Sequence, residues 1–311
     1  MTRLKVGIAQ YKSEHLDLPK SLQKLEAIVS DAASHKVDLV VFGETWLSGY
    51  PAWLDHCPDI GKWDYEPMKE VFLKLYRSSI SIPGGEFDFI ASLARRHKIW
   101  ICIGINEKIT NGKANGSVYN SILIFNADGN LVNHHRKLVP TFTEKLLYGH
   151  GDAAGLNSVK SPWGRVGALV CWEHWMPLTR QALHDSGEHI HLALWPTVHT
   201  MHELCSRHYA FEGRCFVVAV GQMLSVADFP QELTLPPNLK SNPHEHVLRG
   251  GSCIIGPRGN LIVEPVFERE QLIVEELDID EAVKERMTLD TSGHYQRPDI
   301  FNFEVNKVRH F

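Results

Sequence analysis

The sequence predicts an α/β fold in which strands alternate with helices that cover sheet faces, and three observations carry that prediction. Short apolar runs recur along the whole chain, separated by segments whose apolar residues fall at helical spacing. Several of these runs stop abruptly at an ionisable residue followed by Gly or Pro, as a strand does where it leaves a sheet edge. The composition is that of an ordinary globular chain, 43% hydrophobic and 22% charged over 311 residues, which suffices for one large domain or two small ones.

Taken in order, residues 4–9 read as the first strand, and the helix over 19–35 places Leu22, Leu25, Ile28, Val29 and Ala32 on one face. A strand at 38–42 leads into the Gly/Pro-punctuated loop Ser48-Gly49-Tyr50-Pro51. The helix at 87–97 closes on Arg95, Arg96, His97 and Lys98, cations that suit the negative end of a helix dipole. Strands at 99–105 and 121–125 follow, then the turn Asp128-Gly129-Asn130, with His134 and His135 read as a solvated turn. Next come a strand at 165–170, a helix at 178–185, a strand at 191–195 and a helix at 200–213. Strands at 216–221, 251–255 and 260–266 complete the series. Residues 228–246, with Pro230, Pro236, Pro237 and Pro243, read as one long loop, a lid or an interface. No interdomain linker, repeat or low-complexity tract is visible.

Composition excludes several classes of function. A net charge of −5 offers no basic field for nucleic acid, and no apolar run is long enough to span a bilayer. The first residues run straight into a strand without a signal-peptide core, and the six cysteines lack framework spacing, so reduced thiols in a cytoplasmic protein are expected. His199, His202, Cys205 and His208 invite a metal reading. Steps of three on a helix, however, advance about 300° each, so the four side chains drift round the circumference and cannot share one ion. A pocket or subunit contact is the expectation for this helix.

The most informative stretch is Gly167-Ala168-Leu169-Val170-Cys171-Trp172-Glu173-His174, followed by Met176-Pro177-Leu178. It reads as a buried strand that breaks at Cys171 into a helix whose first turn accepts Pro177. Backbone N–H groups at such an elbow are expected to face the thiol, lower its pKa and offer donors to a developing anion. A cysteine ending a strand is more often an inert buried thiol, so two further strand ends decide the matter. Val41-Phe42-Gly43-Glu44-Thr45-Trp46 ends in a carboxylate, and His135-Arg136-Lys137-Leu138-Val139-Pro140-Thr141 carries an amine. Clustered along one edge of an open sheet, these would provide a nucleophile (Cys171), a proton shuttle (Glu44) and a cation for developing charge (Lys137), the parts needed for acyl transfer to a thiolate.

With these blocks in that order, the chain resembles the nitrilase branch of the carbon–nitrogen hydrolase superfamily. Glu144 and the run Tyr148-Gly149-His150-Gly151-Asp152 continue the lysine block in the family's manner. Leu194-Trp195-Pro196, Gly250-Gly251-Ser252-Cys253 and Gly293-His294-Tyr295-Gln296-Arg297-Pro298-Asp299 are also nitrilase-like, so the resemblance runs from about residue 4 to about residue 300.

What the resemblance implies is a four-layer αββα sandwich, a choice that periodicity alone cannot make over a single doubly wound sheet. It implies one domain over residues 1–285 and a tail over 286–311 in subunit contacts. It implies hydrolysis of an organic nitrile to a carboxylic acid and ammonia through a thioimidate and a thioester on Cys171, with Glu144 orienting Lys137 or water. No cofactor or metal is required. Homodimers or larger assemblies, spirals included, are expected. Trp172, Tyr50, Trp195 and His174 are the candidate pocket residues, and asparagine is another option at position 174 in such enzymes. An amide or N-carbamoyl substrate, or cyanide, would fit the same three blocks, and an inert binding protein could keep the fold.

Overall fold

Both faces of the first strands are apolar, and that fact dictates how many layers are stacked. The computed structural model describes residues 2–310. In chain order the elements are β1 Arg3–Gln10, α1 Leu18–Ser34, β2 Leu39–Phe42, α2 Trp53–His56, α3 Glu66–Ser78, α4 Gly85–His97, β3 Trp100–Lys108, β4 Val118–Phe125 and β5 Leu131–Arg136. They continue with β6 Val159–Ser161, β7 Gly164–Val170, α5 Pro177–Asp185, β8 Ile190–Leu194, α6 Thr200–Gly213, β9 Phe216–Val220 and β10 Met223–Ser225. The last are α7 Pro237–Lys240, β11 His246–Ile255, β12 Leu261–Phe267, β13 Gln271–Asp278 and α8 Asp280–Glu285.

Two mixed sheets form. One runs β13-β1-β2-β3-β4-β5; the other runs β10-β11-β9-β8-β7-β6, with β12 also paired to β11. Leu4, Val6 and Ile8 of β1, Leu39 and Val41 of β2, and Ile122 and Ile124 of β4 pack with Val166, Ala168 and Val170 of β7 and with Leu192 and Leu194 of β8. Alternate residues of the first sheet, among them Val40, Phe42, Ile101, Ile103 and Leu123, turn the other way, onto Leu25, Ile28 and Val29 of α1 and Ile90 and Leu93 of α4. Leu183 of α5 and Tyr209 and Ala210 of α6 cover the outer face of the second sheet. The result is the four-layer αββα sandwich. A strand buried on both faces reads as a continuous apolar run, which is why periodicity could not tell one sheet from two.

Local signals set the helix ends. Asp17 caps α1, accepting from the Lys20 backbone N–H at 3.2 Å, and Lys98 closes α4 in the left-handed conformation.

Eight elements lie outside the sequence reading: α2, α3, β5, β6, β10, α7, β13 and α8. Helix α3 buries only a narrow stripe, Val71, Leu75 and Ser78. β13 is an edge strand carrying Glu275 and Glu276, and β10 has three residues. β5 replaces the expected solvated turn: His135 is buried against Glu173 at 2.9 Å, and His134 reaches Glu107 at 2.8 Å. Hydrogen bonds to buried carboxylates satisfy this polar strand, so no hydrophobic alternation marks it. The loop at 228–246 contains only α7 as helix, and its Phe229, Leu233 and Leu239 pack with Tyr50 and Trp53.

Candidate active site

Each of the three chemistry-bearing blocks follows a strand, but two sheets supply them rather than the one edge expected. Glu44 follows β2, Lys137 follows β5 and Cys171 follows β7, so the ends of both sheets meet at the site. The turn after β2 holds Thr45 at a φ of 50° and passes against β3, where a Cβ on Gly104 would collide with Gly43 O and Thr45 N. The bare backbone of Gly104 therefore lets Glu44 reach its place. The Gln222 side chain donates to the Glu44 carbonyl from the second sheet's end.

Inside the site, Lys137 Nζ donates to Glu44 Oε1 at 2.8 Å and to Glu144 Oε1 and Oε2 at 2.9 and 2.7 Å. Glu144 sits on the single turn 142–146 and also accepts from the Tyr50 hydroxyl at 2.9 Å and the Thr141 backbone N–H at 2.9 Å. Asn120 Nδ2 donates to Glu44 Oε1 at 2.7 Å, whereas Glu44 Oε2 is buried without a hydrogen-bond partner. One oxygen of this carboxylate is thus held and the other is left to act.

Electrostatics separate the roles these groups can take. Burial pushes the Glu44 carboxyl up to about 7, with Lys137 pulling it down and Glu144 pushing it up. Burial opposes the charge on Lys137, but Glu44, Cys171 and Glu144 outweigh it and hold the ammonium well above the usual lysine range. The Cys171 thiol differs from expectation. Burial and the neighbouring Glu44 charge raise it well above the ordinary cysteine value, and Lys137 and the Trp172 N–H only partly offset them. The resting group is a thiol beside a carboxylate that titrates near neutrality. Thiolate formation is accordingly coupled to proton transfer rather than complete in advance.

Cys171 itself has a φ of 50°, a strained value for a residue with a Cβ, as it swings off β7 into the turn Cys171–Trp175. Glu173 ties this turn down: it accepts from the Val170 N–H at 2.8 Å and the Leu138 N–H at 2.8 Å and pairs with His135. It thereby links the cysteine block to the lysine block. Sequence reasoning missed Glu173, His135, Asn120 and Gln222. The signals were weak: a carboxylate inside an apolar turn, and an asparagine at the head of an apolar run.

A cavity of about 300 Å³ opens onto Cys171, lined by Tyr50, Thr141, Phe142, Trp172, His199 and His202 among others. Trp172, 52% exposed, and Phe142, 78% exposed, stand at its mouth. Trp195 and His174 are not among the lining residues. Both are buried behind the elbow, stacked with ring centroids 4.6 Å apart, because His174 turns its ring toward the second sheet. The helix residues read as a metal decoy diverge. His199 and His202 pack ring to ring at 3.7 Å, Cys205 Sγ donates to the His174 carbonyl at 3.4 Å, and His208 is exposed. Among the described residues no group of three or more His, Cys, Asp or Glu is arranged to hold a metal ion.

With that fold and that constellation in place, comparison with known proteins gives the class. The carbon–nitrogen hydrolase family profile matches residues 5–286, and the chain belongs to that family. It is 35% identical over 303 residues to Nitrilase 2 of an unknown prokaryotic organism, covering 97% of this chain and 92% of that one. It is 32% identical over 307 residues to the aliphatic nitrilase of Sinorhizobium fredii (strain HH103), covering 99% and 97% respectively. The carbon–nitrogen hydrolase of Helicobacter pylori G27 shares the fold at a TM-score of 0.71 and 18% identity, covering 96% of each chain.

Proposed function

We propose that this protein is a nitrilase, converting an organic nitrile and two waters into a carboxylic acid and ammonia. The observation that carries the reading is the buried contact of Lys137 with both Glu44 and Glu144 beside Cys171 at the cavity floor. Similarity to relatives named as nitrilases over almost the whole chain favours a nitrile over an amide.

Glu44 takes the thiol proton through its unpartnered Oε2 as Cys171 Sγ attacks the nitrile carbon. The same proton is delivered to nitrogen, leaving a neutral thioimidate. Water, deprotonated by Glu44, adds to the thioimidate carbon, and the tetrahedral adduct is held by Lys137 Nζ and the Trp172 N–H. Collapse with protonation of nitrogen expels ammonia and leaves a thioester. A second water, activated in the same way, frees the acid and restores the thiol. Glu144 keeps Lys137 charged and in place, and Tyr50 holds Glu144. Trp172 serves as a wall of the substrate cavity.

Assembly belongs to the same reading. Trp172, Leu178, Met201, Leu204 and Phe211 leave large apolar side chains exposed on and around α5 and α6, which favours a homo-oligomer built on that face. Residues 1–285 are assigned to one domain and 286–311 to a tail in which Tyr295, Ile300 and Phe301 are exposed for subunit contact. The end of that tail also holds its own chain, with Arg309 Nη1 3.2 Å from Asp152 and the His310 N–H donating to Asp152 at 3.0 Å. All six cysteines are free and buried, which suits a reducing, cytoplasmic setting, and no described helix is long and apolar enough to cross a membrane.

The test is ammonia release from benzonitrile, phenylacetonitrile, an aliphatic dinitrile, cyanide and the matching amides, with acid and amide products quantified. Nitrile turnover to acid that vanishes in Cys171→Ala is the expected result. Turnover of amides alone would replace the nitrilase reading with an amidase on the same residues.

A further inference from the structure

Behind the elbow, on the side away from the cavity, lies a second chain of titratable groups that the reaction above does not use. His174 Nδ1 lies 2.6 Å from the Cys171 carbonyl oxygen, and His174 Nε2 lies 2.9 Å from His191 Nε2. His191 Nδ1 in turn lies 2.9 Å from Glu188 Oε2, and the Tyr209 hydroxyl donates to Glu188 Oε1. All four side chains are buried. Gly167 of β7 makes the room, since a Cβ there would collide with Glu188 Oε2. Packing holds the rings in place: His174 stacks on Trp195 at 4.6 Å and His191 on Tyr209 at 3.9 Å.

Counting protons fixes the charge state. A carbonyl only accepts, so His174 Nδ1 carries a hydrogen. One hydrogen must lie between the two Nε2 atoms, and one between His191 Nδ1 and Glu188. His191 and His184 hold the Glu188 carboxyl well below its usual range against the cost of burial, so that last hydrogen sits on the ring. Two imidazoles therefore share three ring protons and one positive charge, paired with the Glu188 carboxylate. Burial and the neighbouring His191 hold the His174 pKa well below its usual value, so His174 donates to the carbonyl as the neutral ring.

The carbonyl this chain grips belongs to the same peptide unit as the Trp172 N–H. In a trans peptide the C=O and N–H point in opposite directions. The carbonyl of Cys171 is thus pulled into the second sheet by a charged hydrogen-bond chain while its N–H faces the thiol. We propose that Glu188, His191 and His174 form a buried relay that orients and polarises the Cys171–Trp172 peptide, so that the Trp172 N–H is a stronger donor to negative charge developing at the site. They are positioning residues, and none touches substrate. A hydrogen-bond chain polarises its members cooperatively, so the chain ending at Glu188 strengthens the N–H that His174 offers the carbonyl.

This rests on Cys171 as the nucleophile, and the experiment separates the two claims. His174→Asn keeps an N–H near the Cys171 carbonyl but cannot reach His191; Glu188→Gln keeps shape and removes the counter-charge. Each is measured for kcat and KM on a nitrile turned over by the wild type. Each is also measured for the rate of Cys171 alkylation by iodoacetamide, read by mass, which needs no nitrile activity. Each single variant is expected to lose roughly tenfold in kcat with KM within about twofold, and to alkylate several-fold more slowly, because a preorganised donor is worth more than this in direct contact. The double variant is expected to be no slower than the worse single, since cutting the relay once removes its whole effect. Wild-type kcat and alkylation rate in His174→Asn would mean simple anchoring and overturn the relay. So would losses that multiply in the double variant. Should Glu188→Gln not fold, His174→Asn decides alone. Absence of nitrile turnover in the wild type would sink the nitrilase reading and leave alkylation to judge the relay.

Discussion

The two sides of the Cys171 elbow are both charged and both buried, yet they are built to opposite ends. On the cavity side, Glu44, Lys137 and Glu144 meet with polar atoms to spare: Glu44 Oε2 and Asn120 Oδ1 have no hydrogen-bond partner. On the far side, every ring nitrogen of His174 and His191 and both oxygens of Glu188 are engaged. Unsatisfied buried acceptors cost stability and keep reactivity, whereas a closed network costs reactivity and gives rigidity. The elbow stands between them, strained at Cys171 and held from behind by the His174 hydrogen bond. The difference teaches that the reactive side depends on the inert one for its geometry.

Substitutions can break either side in turn. Cys171→Ala should have the largest effect, a fall of about 10⁴-fold or more in ammonia release from a nitrile, since the bond-forming atom is gone. Glu44→Gln keeps the hydrogen bonds to shape but removes the base, and a loss of about 10³-fold is expected in the same assay, with substrate binding by calorimetry little changed. The pH profile sharpens the point. A base must be ionised to act, and the Glu44 carboxyl is pushed up to about 7, so kcat/KM should rise with pH through about 7 and level above it. A profile flat down to pH 5 would remove Glu44 from the role of base.

Trp172→Ala opens the mouth of the cavity without touching the charges. It should raise KM by about tenfold while kcat falls less, as loss of one apolar wall predicts. The smallest effects are those on folding. Gly104→Ala crowds the turn that carries Glu44, and Gly167→Ala crowds Glu188 behind the elbow. Each should lower stability by about 1–3 kcal/mol, read as a drop in urea midpoint. The first should also remove most activity and the second only part of it. Equal activity losses would dissolve the contrast between the two sides.

Much of the reactive side could be read in the sequence, because Glu44 and Cys171 interrupt apolar runs and Lys137 falls in a motif that continues the same order of blocks. Glu44 follows β2, Lys137 follows β5 and Cys171 follows β7, and an ionisable residue at such a place needs a reason. The inert side was far less legible. His191 opened an expected strand and Glu188 fell in the connection before it, and nothing in a periodic pattern marks their buried pairing with each other or with His174. β5 was hidden for the same reason, its histidines satisfied by Glu107 and Glu173. His174 and Trp195 were expected at the pocket and lie behind the elbow, a matter of ring direction that spacing does not fix. The thiol pKa went the opposite way from the elbow argument because burial and a neighbouring carboxylate outweigh one backbone N–H. Sheet number could not be read from apolar runs, but the family resemblance implied it.

The most direct test of covalent nitrile hydrolysis at Cys171 is the mass of the enzyme acid-quenched in the first turnovers with a nitrile substrate. The account predicts a transient gain, on the peptide containing Cys171, equal to the thioimidate or its derived acyl group, and no gain in Cys171→Ala. Nitrile turnover at full rate with no adduct on that peptide, or activity surviving in Cys171→Ala, would contradict it.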